Sequence, residues 1–391
     1  MKIFHLSDLH IGKHLHMHNL AQDQAYILHE IVERAKEYRP DAIVVAGDIY
    51  DKSIPSGEAY RLFDTFLDEL AQIEPVIPVL IIAGNHDHAE RLQYASGFME
   101  RHQIYISVMP PQNEEEHLKK ITLTDKYGEV DFYLFPFTKP GYVRALLGNA
   151  QELTYENAYA GVLAREQIDE GKRNVLVAHQ FFITQGQKTQ TCDSEQLSLL
   201  VGGIDAIDTS VISQFDYVAA GHIHGPQNLA QGKVRYCGTP LKYSVSEEKH
   251  HKSITMVTLE EKGTEPKVEL IPLQPLRDVR RIKGTLAELL SQVQEKQEDY
   301  VSITLTDEKE PYRPKDSLEE VYTHILEIAL DNSRTRAIRN SIYEQEEETQ
   351  VQKSPLEEFR DFYEMMQQQP LSLVEEEALA EIMEQLGGEL T

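Results

Sequence analysis

The chain has 391 residues, only two cysteines and a formal net charge of −27 at pH 7. A chain of this length can bury a large core and carry at least one further domain, while two distant cysteines exclude a disulfide framework and a thiolate metal site. The acidic composition excludes an overall basic surface, so metal ions, local basic clusters or a partner would have to attract a polyanionic substrate.

The first predicted element is a short buried strand, Ile3–Leu6, which is followed by Asp8 and His10. The strand starts so close to Met1 that no cleavable signal fits before it, and no apolar run reaches the length of a membrane span. We therefore expect a cytoplasmic protein without a membrane segment.

Four further apolar runs predict buried strands, and a polar motif follows each of them. In chain order they are Ala42–Ala46 with Gly47 and Asp48, Val79–Ala83 with Gly84–Asp87, Val175–Ala178 with His179, and Tyr217–Ala220 with Gly221–His224. Metal ligands need rigid supports that face a cleft beyond the carboxyl ends of the strands. We therefore expect the motifs to share one edge of the fold.

The five motifs offer carboxylate, carboxamide and imidazole groups, which together can form a two-metal phosphoesterase centre. Without a thiolate they suit Mn²⁺, Fe²⁺ or Zn²⁺ in expanded coordination better than a closed tetrahedral zinc site. We favour two Mn²⁺ ions, while Mg²⁺, Fe²⁺ and Zn²⁺ stay open. A single histidine or a turn such as Gly84–Asp87 is common without any metal, but five motifs in order at strand ends favour a metal centre.

The order of these motifs resembles that of the calcineurin-like metallophosphoesterases. Within that superfamily, Gly221–Gln227 followed by Arg235–Leu241 resembles the SbcD nucleases, bacterial relatives of the double-strand-break repair nuclease. The resemblance covers the whole chain. It implies an α/β fold, namely a four-layer α/β/β/α sandwich with two mixed sheets between helices, together with a small α/β capping domain and a C-terminal helix pair.

The resemblance also implies a role for each motif residue. One metal would be held by Asp8, His10 and His224, a second by Asn85, His179 and His222, and Asp48 would bridge both. His86 would face the scissile phosphate as a catalytic residue, and Asp87 would orient its ring. Asp51 stands where archaeal and eukaryotic relatives have a histidine, and it either orients a metal-bound residue or caps the following turn.

The pattern changes after Pro272 and Pro275, so we expect residues 1–272 to form the nuclease domain and 273–343 the capping domain. For the capping domain the sequence predicts a strand near Val279–Ile282, a helix with Leu286, Leu289 and Leu290, a strand at Tyr300–Leu305, a helix from Ser317 with Leu318, Val321, Ile325 and Ile328, and a strand near Thr335–Ile342. By resemblance this unit helps to select DNA ends. A stabilising role without DNA contact is the alternative.

Residues 344–353 are predicted to form an acidic linker, and 354–391 two short amphipathic helices, the first with Ser354 as its N-cap. Beyond Tyr343 the chain has fourteen carboxylates and two basic residues, so much of the negative charge lies in this tail. Helices this short cannot bury their apolar stripes alone. The resemblance implies that they dock on the coiled-coil base of the ATPase SbcC, and folding back on the catalytic domain is the alternative.

Local basic clusters are candidates for DNA contact, although an ordinary solvated surface is the simpler explanation of each. They are Lys13 with His14, His16 and His18, then Lys249–Lys252, and then Arg277, Arg280, Arg281 and Lys283. By resemblance the chain forms a homodimer within a heterotetramer, with Glu58–Ala71 and Ala89–Arg101 as candidate dimer helices. The apolar residues of these segments are equally explained as core.

We therefore expect a Mn²⁺-dependent DNA nuclease that acts with SbcC as a double-strand exonuclease and as a single-strand or hairpin endonuclease. It would process DNA ends and hairpins during repair and recombination at the nucleoid, by two-metal hydrolysis. A phosphatase or cyclic-nucleotide phosphodiesterase is the second candidate, but it leaves the capping unit and the tail unexplained. A non-catalytic scaffold is the third, and the complete set of ligands with His86 argues against it.

Overall fold

The computed structural model describes residues 1–148, 153–184, 189–195 and 205–337, together with scattered positions between 359 and 379. The strands and helices of the first part are β1 (Lys2–Leu6), β2 (His14–Leu15), β3 (His18–Asn19), α1 (Ala21–Tyr38), β4 (Ala42–Ala46), α2 (Gly57–Ala71), β5 (Val79–Ile82), α3 (Ala89–Leu92), α4 (Ser96–Met99), β6 (Ile104–Ser107), β7 (Lys119–Asp125), β8 (Gly128–Phe135), α5 (Pro140–Leu147), α6 (Tyr155–Leu163), β9 (Arg173–His179), β10 (Phe182–Ile183), β11 (Ile207–Asp208), β12 (Tyr217–Gly221), β13 (Gln227–Leu229), β14 (Val234–Tyr236), β15 (Ser253–Thr258) and β16 (Lys267–Pro272).

Most of these strands form two mixed six-stranded sheets, in the orders β16-β15-β1-β4-β5-β6 and β13-β14-β12-β9-β8-β7. The strands β1, β4, β5 and β6 are mutually parallel, and so are β8, β9, β12 and β14. Strands β15, β13 and β7 run antiparallel to them, and the edge strand β16 pairs antiparallel with β15. Parallel central strands bring their carboxyl ends to one edge of a sheet, which explains why the motifs that follow them can meet.

The central strands are buried on both faces, which is why their sequences are continuous apolar runs rather than alternating ones. In β4, Ile43 and Val45 belong to the core shared with α1 and α2. Val44, between them, belongs to the core between the two sheets, together with Phe132 of β8 and Val177 of β9. The same short strand therefore joins two separate layers of packing.

Helices cover the outer face of each sheet. Ile27 of α1 and Phe66 of α2 are buried in the core on the first sheet, and Val143 of α5 and Tyr159 of α6 in the core on the second. The layers follow the order helix, sheet, sheet, helix, so the predicted four-layer α/β fold is confirmed. Among the described residues, no helix is both long and apolar enough to cross a membrane.

A smaller α/β unit follows these layers. It consists of β17 (Val279–Gly284), α7 (Leu286–Ser291), β18 (Gln297–Leu305), α8 (Pro314–Glu319) and β19 (Tyr322–Leu330). The three strands are parallel in the order β17-β18-β19. Leu289 of α7 and Leu318 of α8 pack into a separate core with the sheet, and Thr285 and Glu288 form a capping box at the start of α7.

One element expected in this unit is wrong. The helix expected from Ser317 onward ends at Glu319, and β19 takes the place of its remainder. The spacing of Leu318, Val321 and Ile325 imitates a helical stripe, which misled the prediction. The β-branched and aromatic residues of that segment favour a strand. β19 buries Leu326 in the core of the first part and Tyr322 in the core of the smaller unit.

The smaller unit packs directly on the first part of the chain. Tyr300 of β18 belongs to the same core as α1. Asp23 of α1 accepts hydrogen bonds from the Tyr300 hydroxyl and from Nη1 of Arg277, both at 2.9 Å. The ring of His18 in β3 lies with Nε2 3.2 Å from the carbonyl oxygen of Ile325 in β19. The unit is therefore held against α1 and against the β2–β3 hairpin that follows the first motif.

Most predictions for the C-terminal part concern residues that are not described. The strand expected near Thr335–Ile342 is wrong in its first part, because residues 333–337 are helical, and 338–342 lie outside the described residues. The acidic linker 344–353 and most of the helix pair 354–391 also lie outside them. Among the described positions of the tail, the Tyr363 hydroxyl donates a hydrogen bond to Glu375 at 2.8 Å. This contact joins the two segments predicted as helices.

Candidate metal centre

The strand ends bring the predicted ligands to one place between the two sheets. Asp8, Asp48 and Asn85 follow β1, β4 and β5 of the first sheet, while His179 ends β9 and His222 follows β12 of the second. The chain segments after β1 and β4 run side by side, since the amides of Asp8 and His10 donate to the carbonyl oxygens of Gly47 and Asp48, each at 3.0 Å. Backbone pairing therefore sets the positions of the first ligands.

Four of the predicted ligands have a left-handed backbone. The φ angles are 52° at Asp8, 43° at His10, 51° at Asp48 and 100° at His222. Side-chain-bearing residues rarely adopt this conformation, which costs on the order of 1–3 kcal/mol and collects at functional sites. The surrounding packing of two sheets imposes these turns, which direct the side chains toward a common point.

One ligand atom from each of Asp8, His10 and His224 lies within 4.8 Å of the others. The Nε2 atoms of His10 and His224 are 3.1 Å apart, and all three residues are buried. Two imidazole nitrogens and a carboxylate oxygen at this separation suit a divalent cation, which prefers such mixed nitrogen and oxygen ligands. These are the residues expected to hold the first metal.

The ligands expected for the second metal meet around the side chain of Asn85. Its Oδ1 lies 3.0 Å from Nε2 of His179 and 3.0 Å from Nδ1 of His222. Asp48 lies between the two groups, with Oδ2 3.4 Å from Nε2 of His179 and 3.6 Å from Nε2 of His10. The position of Asp48 is the one that a carboxylate shared by two cations needs.

The ring of His179 is oriented by the backbone of the opposite sheet. Its Nδ1–H donates to the carbonyl oxygen of Ala46 at 2.8 Å, so Nε2 is the ring nitrogen that faces Asp48 and Asn85. Glycines permit this approach. A Cβ atom on Gly47 would lie 2.3 Å from Nδ1 of His179, and one on Gly221 would lie 1.9 Å from the Ala46 oxygen.

His86 differs from the other imidazoles because its side chain is 28% exposed, compared with 1% for His10 and 0% for His179. Its ring lies edge-on to that of His10 at 4.8 Å between centroids. Nδ1 donates to the carbonyl oxygen of Asp51 at 2.9 Å, and Nε2 is 4.0 Å from Oδ2 of Asp48. His86 therefore borders the centre on its open side.

The contacts of Asp87 differ from the prediction that it orients the His86 ring. Its carboxylate accepts backbone hydrogen bonds from Ile49 at 3.1 Å, Tyr50 at 2.9 Å and Gly84 at 2.8 Å. Burial and the nearby charge of Asp48 raise the pKa of Asp87 to about 6, although these amides oppose the shift. Asp87 ties the loop after β4 to the loop after β5, and the Asp51 carbonyl orients the histidine ring instead.

Asp51 lies between a predicted ligand and a basic side chain. Its Oδ1 lies 3.6 Å from Nδ1 of His10 and 2.8 Å from Nζ of Lys13. The cap of the following helix α2 is Ser56, whose side chain accepts from the amide of Ala59. Asp51 therefore pairs with Lys13 and lies beside the ring of His10 beyond hydrogen-bond distance, while Ser56 caps α2.

Without bound cations the centre divides its protons unevenly. Burial disfavours a charged His179, but Asp48 and then Asp8 outweigh it and raise the pKa of His179 to about 9. Burial and the charge on His179 lower the pKa of His222 to about 3. Burial also opposes ionisation of Asp48, but the neighbouring imidazoles, His179 first, hold its pKa well below the ordinary value. A cation must displace the His179 proton, because a metal ligand has to be deprotonated.

Several polar residues behind His224 were missed in the sequence. Oγ of Ser194 lies 2.7 Å from Nδ1 of His224 and 2.9 Å from Oε1 of Glu247. Glu195 accepts the backbone N–H of His224, and Lys252 donates to its carbonyl oxygen at 3.2 Å. No pattern in the sequence relates these positions, since tertiary folding alone brings them together. Lys252, named above as one candidate for DNA contact, is neither solvated nor exposed to DNA, because its ammonium is buried against Glu247 at 2.6 Å.

The other basic candidates are mostly paired with carboxylates. The pairs are Lys13 with Asp51, Arg277 with Asp23, Arg280 with Asp299, Arg281 with Glu248, and Lys283 with Asp331. Such pairing removes much of their attraction for a polyanion. The described surface therefore agrees with the acidic composition, and the centre itself is the main place where added cations could attract phosphate.

Comparison with known proteins agrees with this architecture. A model of the family described as calcineurin-like phosphoesterase matches residues 1–226, and one described as the type 5 capsule protein repressor C-terminal domain matches residues 275–367. In solved structures, a dimetal phosphatase from Danio rerio matches at 13% identity, covering 70% of this chain and 99% of that chain with a TM-score of 0.38. That likeness is too distant to refine the assignment.

Two curated relatives are both named as the SbcD subunit of the nuclease SbcCD. The protein from Staphylococcus saprophyticus is 33% identical over 332 residues, which covers 84% of each chain. The protein from Staphylococcus epidermidis is 31% identical over 391 residues, which covers 98% of each chain. The resemblance noted in the sequence is thus confirmed along nearly the whole length. The chain belongs to the calcineurin-like phosphoesterases and, within them, to the family of the SbcD subunit of the SbcCD nuclease.

Proposed function

We propose that the protein is a DNA nuclease that hydrolyses phosphodiesters at a centre of two divalent cations. The observation that carries this proposal is the position of Asp48, whose Oδ2 lies within 3.4 to 3.6 Å of imidazole nitrogens from both ligand groups. Asp8, His10 and His224 would hold one cation, Asn85, His179 and His222 the other, and Asp48 both. Bound there, the cations would polarise the phosphate and supply a hydroxide from water.

Mn²⁺ is the cation that we propose, with Mg²⁺, Fe²⁺ and Zn²⁺ as alternatives. The donor set combines carboxylate and carboxamide oxygens with imidazole nitrogens, which suits Mn²⁺ and excludes a preference for soft, thiolate-seeking metals. Both cysteines are buried, and neither belongs to the grouped ligand atoms. The chemistry of the donor set therefore fits the proposed pair of ions.

His86 is the residue that we assign to the leaving group. Its Nδ1 donates to the Asp51 carbonyl oxygen, and Nε2 is the ring nitrogen that faces the centre, 4.0 Å from Oδ2 of Asp48. A protonated Nε2 would stabilise charge on the phosphate and give its proton to the leaving oxygen. Asp87 acts more remotely, as a positioning residue that joins the loops carrying Asp48 and His86.

The decisive experiment compares a labelled hairpin duplex with p-nitrophenyl phosphate, both with Mn²⁺. We expect the duplex to be cut, and His86→Ala to lower kcat by about 10²- to 10⁴-fold while Mn²⁺ binding is retained. His88→Ala is the matched control, since this neighbouring histidine is exposed and outside the grouped ligands. Hydrolysis of the small ester alone would instead support a phosphatase.

We further propose that the protein acts with SbcC on double-stranded ends and hairpins in the cytoplasm, at the nucleoid. The names of the two relatives support such a complex. The acidic composition supports a partner that contributes much of the affinity for DNA. The docking element would be residues 354–391, behind the acidic linker 344–353. Exonuclease and endonuclease activity would follow from which DNA ends reach the centre past the capping unit.

Removing the tail tests the docking proposal. We expect a chain that ends at Tyr343 to keep Mn²⁺-dependent cleavage of short duplexes and to lose SbcC binding, measured by calorimetry. The control replaces only residues 344–353 by a neutral linker of equal length and should still bind SbcC. Unchanged SbcC affinity after truncation would refute the assignment of the docking element.

Self-association is proposed for the surface formed by α2, α3 and α4. The side chains of Tyr60, Tyr94 and Phe98 are 37%, 81% and 63% exposed there, which leaves an apolar surface beside the helices. A homodimer would cover it. Sedimentation at micromolar concentration should give a dimer, and a monomer at that concentration would contradict the proposal.

A further inference from the structure

His224 is held at every polar atom except the one that faces the other ligands. Its backbone N–H donates to Glu195, and its carbonyl oxygen accepts from Nζ of Lys252 at 3.2 Å. Nδ1 of the ring lies 2.7 Å from Oγ of Ser194. Nε2 lies 3.1 Å from Nε2 of His10. The ring is therefore fixed on its far side, and its remaining nitrogen points into the candidate metal centre.

The contacts of Ser194 set the direction of its hydrogen bonds. Its single hydroxyl hydrogen can go only to one neighbour, and Oε1 of Glu247 lies at 2.9 Å. Glu247 is fully buried and forms an ion pair with Lys252 at 2.6 Å, so its carboxylate acts as an acceptor. The hydroxyl consequently donates to Glu247 and accepts from His224. This arrangement requires the proton of the neutral His224 ring on Nδ1 and leaves a lone pair on Nε2.

A carboxylate that orients a ligating imidazole through its other ring nitrogen is a common way to tune a metal site. His179 receives the same help from the carbonyl oxygen of Ala46, which belongs to the backbone. His224 differs because the groups that orient its ring are side chains that are distant in the sequence. Ser194 precedes β11, and Glu247 lies before β15. A single substitution can therefore remove the support of one ligand without touching the other.

We propose that Ser194 and Glu247 form a positioning relay that sets the tautomer and orientation of His224 and thereby controls the affinity of the site formed with Asp8 and His10. This inference rests on the proposed two-metal function and deepens it. The relay touches neither substrate nor cation. It acts through His224, so its loss affects one of the two cation sites and leaves the site of Asn85, His179 and His222 intact.

The test measures Mn²⁺ binding to the full chain by calorimetry, with elemental analysis of bound metal as a second readout. We expect wild-type protein to bind two ions, and Ser194→Ala to weaken one site by about 10- to 100-fold while the other is unchanged. Ser194→Thr keeps a hydroxyl and should restore most of the affinity. The metal-free Ser194→Ala protein should still unfold in one cooperative urea transition, with its midpoint lowered only by the loss of the hydrogen bonds to His224 and Glu247.

Ser244→Ala is the matched control. The Ser244 hydroxyl also donates to Oε1 of Glu247, at 3.3 Å, but its contacts do not include the His224 ring. We expect this variant to bind both ions as wild type does. An equal loss in Ser244→Ala would overturn the relay, because any disturbance of Glu247 would then suffice.

The remaining outcomes separate the relay from the function on which it rests. If wild type binds two ions and Ser194→Ala binds both with unchanged affinity, the relay is refuted and the proposed function stands. If Ser194→Ala weakens both sites to the same extent, or no longer unfolds in one cooperative transition, Ser194 has a general structural role and the relay is again refuted. If wild type binds no divalent cation, the proposed function itself fails.

Discussion

At the scale of single residues, the centre depends on what lies behind each ligand. Asp8 accepts the amide of His222 through both carboxylate oxygens, at 3.0 and 3.1 Å, so a ligand from one sheet fixes a ligand from the other. The Ala46 carbonyl orients His179, and Ser194 orients His224. The contacts of His179 and His224 use Nδ1, the ring nitrogen that faces away from the other ligands. The fold itself therefore holds the ligands through contacts that do not involve a cation.

Gly221 lies so close to the carbonyl oxygen of Ala46 and to the ring of His179 that a side chain does not fit there. We expect Gly221→Ala to lower the free energy of unfolding by about 3 kcal/mol, because its Cβ would overlap the Ala46 oxygen and Nδ1 of His179. Mn²⁺ binding should be lost as well. Urea denaturation and calorimetry measure the two effects.

Gly97→Ala is the control for that substitution. This glycine lies in α4, where the described part of the chain places no other atom within 4 Å of an added Cβ, so stability should rise by about 0.5–1 kcal/mol. If Gly221→Ala and Gly97→Ala changed the free energy of unfolding equally, overlap of the added Cβ could not be the cause.

At the scale of elements, the strands and the smaller unit have different roles. The parallel strands β1, β4, β5, β9 and β12 bring the ligands together, whereas the unit from β17 to β19 borders the first sheet on the side of α1. Its attachment uses a buried carboxylate, Asp23, which is 2% exposed and receives both Tyr300 and Arg277. The position of the unit is thereby defined by hydrogen bonds to a charged group, which are stronger than those between neutral groups.

Removing one of these hydrogen bonds should loosen the attachment. We expect Tyr300→Phe to lower the free energy of unfolding by about 1.5–3 kcal/mol, since Asp23 loses a buried donor. Tyr312→Phe is the control, because that side chain is 89% exposed. Urea denaturation measures both variants, and a loss of the same size in each would refute the attachment role.

At the scale of the whole molecule, the two sheets are joined at both ends of β9. His179 ends this strand in the metal centre, and Arg173 begins it at the opposite side. Arg173 pairs with Asp125 of β7 through both carboxylate oxygens, at 2.5 and 3.1 Å. It also donates to the carbonyl oxygens of Leu259 and Glu260, which follow β15 of the first sheet. One buried guanidinium therefore connects the sheets far from the ligands.

This connection predicts a pH-dependent contribution to stability. Although burial opposes it, Arg173 holds the pKa of Asp125 below its ordinary value. A depressed carboxylate pKa stabilises the folded state above the unfolded pKa of about 3.9, and the effect is lost as the pH falls toward the folded value. We expect Asp125→Asn to cost about 1.5–3 kcal/mol at pH 7, and progressively less below about pH 4.

The control for Asp125 is the exposed neighbouring pair of Lys172 and Glu129, whose side chains are 40% and 49% exposed. Glu129→Gln should change the free energy of unfolding by about 0–1 kcal/mol. Chemical denaturation from pH 7 to pH 3 measures both variants. A pH-independent difference between Asp125→Asn and wild type would show that the ion pair is not the cause.

Sequence patterns succeeded where one local signal determined one structure. The apolar runs before Asp8, Asp48 and His179 are strands, because a strand buried on both faces needs a continuous run. They failed where two structures share a pattern, as in β19, whose apolar spacing imitates a helix. They also failed for Asp87. A carboxylate next to a histidine in the sequence suggests that the two side chains interact, whereas the Asp87 carboxylate accepts backbone amides from two loops.

Local periodicity and the order of the motifs were enough to predict the family, the layered α/β fold and the identity of the residues that gather at the strand ends. Only the tertiary structure decided which atoms face one another. The position of Asp48 between two groups, the pairing of most basic candidates, and the relay of Ser194 and Glu247 behind His224 all join distant segments. The physical reason is that burial removes water from these polar groups, so each must find its partner across the fold, wherever packing places one.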